Sequence, residues 1–541
     1  MGYDHARRIN TDLTDTEILT HPTPANEFVA GKFDPESFSA AARRFDFVPV
    51  HRRILADTLT PVTAFVRLDD GGPGGLFESV IGGEKVGRYS IVATRPVARF
   101  AAAAGVVTIH RDGDAIRQRC DDPMNVFRQS FDYSVAPSPG LPPFIGGAIG
   151  YAAYDIVRYA ERLENAPPND RDLPDLDFGF YHTVCVFDHV AKTIFVIHLA
   201  DCREIDDATL PEQIETLGRD ASNEVDEVLS QLRDPASDRL VGLDLDLDES
   251  ESNSESLPVH SNFTREAFCG VVDRCVEYIR AGDIFQVVPS QRMAVDAPGI
   301  EPLEVYRSLR VVNPSPFMFL LRTEQCTLVG CSPEIMCRVQ DRVVTVRPLA
   351  GTRRRGRNEA EDLALERELL DDPKERAEHV MLVDLGRNDV GRVARYGSVE
   401  LTEVMVIERY SHVMHISSEV RGTLRDDLDA FDALAAALPA GTVSGAPKVR
   451  AMEIIDEMEP HRRGPYGGAV GYIDYRGNMD TCIALRTLVH QNDRYYVQAG
   501  CGVVADSIPD NEYQETINKA QAMIAAIDLT RRRIAAGGLA R

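Results

Sequence analysis

The segment PKERAEHVMLVDLGRND, residues 373–389, decides how the rest of the chain is read. Pro373 suits the first turn of a helix, where a missing N–H costs nothing, and Asp371 or Asp372 can cap it. Glu375 and Glu378 then lie three apart on one face. The apolar run VMLVDL (380–385) predicts burial of the helix beyond them. Two acids at the wet end of a buried helix suit a metal ligand beside a proton donor. A solvated face with Lys374 and Arg376 as partners is the competing reading, and spacing alone leaves both open. A second acidic helix, NEYQETINKAQAMIAAI (511–527), repeats the pattern. Ile517, Ala520, Ile524 and Ile527 form its apolar stripe, and Glu512 and Glu515 sit near its start. One carboxylate from each helix is a donor set for a hard divalent cation, which completes its shell with water or substrate oxygens. Acids at a helix N-terminus are also favourable without a metal.

Working outward, RYYVQAGCGVVAD (494–506) is a strand running into a glycine turn. Gly500, Gly502 and Ala505 match G-x-G-x-x-A, but DSIPDNE follows where a dinucleotide fold needs a helix. A turn presenting backbone N–H groups to an anion fits better. GTVSGAPKVRAMEII (441–455) has the wrong spacing for a phosphate loop and reads as a polar loop, with Thr442 and Ser444, leading into a helix. His412 and His415 lack an H-E-x-x-H frame, so they are not read as a zinc pair.

The whole chain has 541 residues and 44% hydrophobic content, enough for a large core. Acids outnumber bases 85 to 59, which argues against nucleic-acid or anionic-membrane partners. Only six of the basic residues are lysine, and tryptophan is absent. The ten cysteines form no C-x-x-C pair, so reduced thiols and a cytoplasmic setting are expected. No apolar run approaches the ~18–20 residues of a membrane span, and no signal core or myristoylation site opens the chain. Residues 1–45 read as a polar extension, 46–235 as a β-rich N-terminal region, 236–261 as an acidic linker, 262–530 as the main domain and 531–541 as a tail. Within the N-terminal region, TPVTAFVRL (60–68) and TIFVIHLA (193–200) are read among the strands, and LPEQIETLGRDASNEVDEVLSQLRD (210–234) as a helix. FTREAFCGVVDRCVEYIRAGD (263–283) is an amphipathic helix with Phe268, Val271, Val272, Cys275 and Ile279 inward.

Together, in order, these motifs resemble the chorismate-binding enzyme family. The likeness rests on AGDIFQVVPSQR, NPSPFMFLL, GCSPEIM, RPLAGTRRRG, EHVMLVDLGRNDVGRV, ERYSHVMH, GTVSGAPKVRAMEII, YGGAVGY, TCIALRT, QAGCGVV and ETINKA, about half the chain. TPVTAFVRL and LFESVIGGEKVGRYS resemble the first part of the anthranilate synthase component I group. The resemblance implies an α+β class fold: four layers, α/β/β/α, with two roughly orthogonal sheets. It implies a lyase that aminates chorismate at C2 and eliminates pyruvate, with Mg2+ as cofactor. Glu378 and Glu515 would be the metal carboxylates. Gly351, Thr352, Tyr466, Arg486, Gly500, Cys501 and Gly502 would contact substrate. Glu375 would be the general acid, and His415, with Thr442 nearby, would assist pyruvate elimination. Cys501 stands where the family carries a small Ala, and only its backbone N–H is expected to matter.

Subtype turns on two positions. Relatives that add water to chorismate carry a lysine where this chain has Gln286, whose amide has no useful basicity. Relatives that make 4-amino-4-deoxychorismate carry a lysine nucleophile where this chain has Ala350. Both departures favour direct attack by ammonia. No glutaminase motif is present, so ammonia is expected from a separate glutamine amidotransferase subunit in a hetero-oligomer, a heterotetramer. Glu78 and Ser79, with Pro316, Phe317 and Met318, resemble a feedback site for L-tryptophan. The alternatives are the para-directed aminodeoxychorismate synthase and a non-catalytic tryptophan-binding sensor.

Overall fold

The computed structural model describes residues 34–79, 87–111, 113–206, 208–234, 257–410 and 413–537. The expected acidic linker lies almost wholly outside these residues, as does His412.

Among the described residues, two large antiparallel sheets, of eleven and twelve strands, organise the chain. Each is built from both ends of the sequence. In the first, strand Gly74–Glu78 pairs with Phe317–Arg322, setting Glu78 opposite Met318. In the second, Gly147–Ala152 pairs with Ala469–Asp474. The N-terminal region and the main domain therefore share both sheets.

Strand alternation sorts side chains into layers. In Thr183–Asp188, Val184 and Val186 join the core between the sheets, while Cys185 and Phe187 face helices on the outside. That outer layer includes helices Pro211–Arg233, Pro302–Val312 and Pro509–Gly537, whose buried residues share one apolar cluster with the first sheet. Helices Pro373–Val393 and Ala430–Ala437 pack on the second sheet. The result is the expected α/β/β/α order.

Local expectations held for the helices Pro211–Arg233 and Arg265–Ala281 and the strand Thr193–Asp201. TPVTAFVRL did not: Pro61–Leu68 is a helix, not a strand. Thr60 is its N-cap, accepting from the Thr63 N–H at 3.1 Å, and Pro61 occupies the first turn. This start signal outweighs the β-branched content. The buried residues of Pro509–Gly537 are Thr516, Ala520, Met523, Ala526, Ile527, Leu529 and Thr530, with Ile517 and Ile524 only part-buried. Both threonines satisfy their hydroxyls inside: Thr516 accepts from Gln291 at 2.6 Å, and Thr530 donates to Ser308 at 2.8 Å. Before the first sheet, Pro35–Ala42 is helical and seats Phe38 in the core.

Candidate active site

Helix Pro373–Val393 begins as the sequence predicts. Asp372 accepts from the N–H groups of Lys374 at 2.9 Å and Glu375 at 3.3 Å. Its buried face is His379, Leu382, Asp389, Val390 and Val393, so VMLVDL does not bury as a run and Val380 is exposed. Glu375 and Glu378 thus stand at one end of a helix anchored by a narrow stripe.

Glu378 is part-buried, and that burial, then the charge of Glu375, pushes its carboxyl pKa up. Gln286 donates to it at 3.4 Å, and Glu515 on the last helix adds further repulsion. Lys519, one turn beyond, holds Glu515 at 2.7 Å and donates to the Gly500 carbonyl at 3.0 Å. Two mutually repelling carboxylates from separate helices are a natural seat for a divalent cation. Among the described residues no cluster of three or more His, Cys, Asp or Glu forms a protein cage. The donor set therefore suits a hard ion that retains water or substrate oxygens, not one wanting four side chains.

The glycine turn closes on the same point. A methyl group at Gly502 would meet Gln286 Nε2 at 2.8 Å and lie 3.8 Å from Glu378 Oε1; one at Gly500 would meet the Tyr466 hydroxyl at 2.9 Å. Close backbone approach, not flexibility, requires glycine here. Cys501 departs from its expected role. Its N–H is committed to the Pro289 carbonyl at 3.1 Å, and its thiol packs with Phe268, Cys275 and Val503. It lines the core, not the substrate side, so the extra sulfur is tolerated.

On the opposite side, Gly351 adopts φ +66°, and a methyl there would lie 3.1 Å from Glu375 Oε2. Glu375 is ion-paired to Arg353 at 3.3 Å. His415 Nδ1 lies 2.9 Å from the Gly351 carbonyl and 3.1 Å from Thr352 Oγ1. Donation to the carbonyl places the proton on Nδ1 and leaves Nε2, buried and without a partner, as an acceptor. Burial, reinforced by nearby Arg486, lowers the His415 pKa to about 4, so the ring is neutral at physiological pH. Arg486 is part-buried and its carbonyl accepts from the Cys331 N–H at 3.1 Å, but its guanidinium makes no hydrogen bond or ion pair among the described residues, leaving the fork for an external carboxylate.

One functional candidate went unread in the sequence. Glu334, inside GCSPEIM, is buried, and burial pushes its pKa up to about 8. The Thr442 hydroxyl and the Leu349 N–H temper that rise. A lone Glu between apolar strand residues, just before Ile335–Gln340, was the available signal.

A second site lies apart. A cavity of about 420 Å³ is lined by Glu78, Ser79, Pro316, Phe317 and Met318, together with Tyr89 and Tyr472. The sequence groups these five residues, and the pairing of Gly74–Glu78 with Phe317–Arg322 explains their meeting. The Glu78 carboxylate is already engaged by the Tyr306 hydroxyl at 2.6 Å and Arg310 at 3.0 Å.

A part-buried acid pair from two helices, a close glycine turn, an arginine with a free guanidinium and a neutral histidine make an enzyme site suited to a small multivalent acid. Residues 79–525 match the family described as chorismate binding enzyme, and the chain belongs to that family. Anthranilate synthase component 1 from Acinetobacter calcoaceticus is 47% identical over 500 residues, covering 90% of this chain and 96% of that one. The crystal structure of anthranilate synthase component I from Streptococcus pneumoniae TIGR4 superposes with a TM-score of 0.70 at 39% identity, covering 87% of this chain and 99% of that one. The menaquinone-specific isochorismate synthase from Escherichia coli shares the fold, with a TM-score of 0.61 at 16% identity over 91% of this chain and 98% of that one. No helix among the described residues is long and apolar enough to cross a membrane.

Proposed function

We propose that this chain is the chorismate-aminating component of an anthranilate synthase, catalysing the first committed step of tryptophan biosynthesis. The observation that carries this reading is Gln286. Beside the acid pair it offers an amide, not an amine, with its Oε1 buried and unpartnered. It cannot activate water as a base, but it can accept a hydrogen bond from an ammonia N–H. Ala350 likewise supplies no nucleophile, so the ring is attacked directly by ammonia. A glutamine amidotransferase subunit, in a heterotetramer with this chain, would deliver it.

Glu378 and Glu515 fit Mg2+ as two-carboxylate ligands, and the ion would supply positive charge to bind the ring carboxylate and stabilise it through reaction. Arg486 and Tyr466, with the backbone at Gly351, Thr352, Gly500 and Gly502, orient the substrate acids. Ammonia adds at C2, the 4-hydroxyl departs as water, and loss of pyruvate with the C2 proton makes the ring aromatic. His415 Nε2 is placed to take that proton, with Thr352 steadying the ring. Glu375 and Glu334 are the two candidate donors to the departing hydroxyl. We favour Glu334, because it carries its proton at neutral pH, whereas Glu375 is held by Arg353.

Purified chain with chorismate, Mg2+ and ammonium should yield fluorescent anthranilate. A para-amino product would move the assignment to aminodeoxychorismate synthase, and no product would favour the sensor. At fixed free ammonia, kcat should fall as pH rises through about 8, as Glu334 loses its proton. Residual activity of Glu334→Gln should lack this limb. A limb that survives there and vanishes in Glu375→Gln assigns the proton to Glu375 instead.

The 420 Å³ cavity is of small-ligand size and is our site for feedback by L-tryptophan. It spans the strand seam between the two regions, so a ligand there can bias their arrangement. L-tryptophan should raise the melting temperature and inhibit. Met318→Trp should abolish both effects while leaving uninhibited activity intact; inhibition that persists in this variant would place the site elsewhere.

A further inference from the structure

Behind the active site lies a second, smaller cavity of about 40 Å³. Its inner wall carries the buried Glu334; Thr442, Leu385, Gly386, Ala440 and Arg347, all part-buried, line it toward the protein surface. None of Gln286, Glu378, Gly500, Gly502 or Glu515 lines it, so it does not open from the metal and nucleophile side. A site of this volume takes two or three water-sized molecules and is too small for any substrate. It has polar partners to hold them. The buried Thr442 hydroxyl lies close enough to Glu334 to lower its pKa but falls short of hydrogen-bond geometry, which leaves room for a water between them. Glu334 completes the polar lining; Arg347 and Asp389 also border the cavity, but their charged ends are paired with Glu403 and Lys448.

We infer that this cavity is a water port that returns protons to Glu334 and receives the water formed from the 4-hydroxyl of chorismate. The inference rests on the aminating reading and on Glu334 as donor. In each turnover the Glu334 O–H bond breaks and its proton joins the 4-oxygen. The C4–O bond breaks with its electron pair on oxygen, and water leaves. The nitrogen added at C2 sheds one proton, so chorismate and ammonia give the amino intermediate and water with no net proton change. Glu334, which lines this separate cavity, is left as a carboxylate. It regains its proton along the water chain through the port, without waiting for product to clear the substrate mouth.

The test narrows the port from the helix side. A methyl group at Gly386 points at Val346 Cγ2, 3.1 Å away, so Gly386→Val projects into the cavity. We expect kcat to fall about tenfold or more with the KM values for chorismate and ammonium unchanged. The solvent deuterium isotope effect on kcat should exceed that of the wild type, because proton return becomes limiting. Leu385→Ala, which widens the port, should keep wild-type kcat and isotope effect. If the valine variant does not fold, Gly386→Ala, which suits a helix better than glycine, gives the same comparison in milder form. Wild-type kcat and isotope effect in the narrowed variants overturn the port, as does a raised KM for chorismate, which would make the cavity part of the substrate site. A wild-type chain that makes no anthranilate fails at the functional reading instead, and the two failures are told apart by the unmutated control.

Discussion

Glu378→Gln is expected to lower Mg2+-dependent turnover by about 10³-fold, equivalent to ~4 kcal/mol of lost transition-state stabilisation. The change is nearly isosteric and removes one of two carboxylates able to hold the ion. Stability should hold or rise slightly. Glu378 is charged at a cost in the folded protein, since burial and the neighbouring acids Glu375 and Glu515 both raise its pKa. An amide removes that repulsion, and its oxygen still accepts from Gln286. Calorimetric titration of Mg2+ into the variant, with chorismate absent, separates metal loss from substrate loss. A variant with wild-type turnover and Mg2+ affinity would sink the ligand assignment.

The parts of this site that the sequence displays are those made by neighbours along the chain. Asp372, Pro373, Glu375 and Glu378 are one capped helix turn, and QAGCG is one strand end, so spacing and turn chemistry expose them. The family resemblance then gathers Glu378 with Glu515, and Glu78 with Pro316–Met318, across gaps no local rule spans. What stayed hidden depends on long-range burial. Glu334 looks like any strand-flanking acid until the fold closes over it. The exposed Val380 shows the converse: apolar runs predict burial only where the helix phase turns them inward. The Cys501 N–H, expected from the resemblance to face substrate, instead donates to the Pro289 carbonyl, a pairing that only the folded sheet shows.

The clearest case of hidden structure is Arg463, which is almost fully buried and has no apparent partner in RRGPYGG. Its Nε donates to Glu459 at 3.0 Å, four residues back at the end of helix Lys448–Met458. The other nitrogens donate to the Val443 carbonyl at 2.6 Å and the Val288 carbonyl at 2.7 Å, the latter 175 residues away. Glu459 also accepts from the Ser290 N–H and hydroxyl, both at 2.8 Å. The guanidinium lies over the rings of Tyr154 at 4.7 Å and Tyr466 at 5.5 Å. One cation thus ties together the turn bearing Thr442, the strand beside Gly500, and the Tyr466 ring. Arg463→Met keeps most of the volume but leaves Glu459 buried without its counter-charge and two carbonyls without a donor. It should destabilise the chain by ~3–5 kcal/mol. The double variant Arg463→Met, Glu459→Gln should recover part of that loss, since no unpaired charge remains and the Ser290 bonds persist. Neither variant should regain full chorismate affinity, because the carbonyls of Val443 and Val288 still lack the donor that sets the Thr442 turn and the Gly500 strand. Urea unfolding followed by tyrosine fluorescence measures the first effect, and KM the second. A single variant that costs under ~1 kcal/mol would mean that water or a shifted side chain replaces the guanidinium, and that the knot is not what fixes the site.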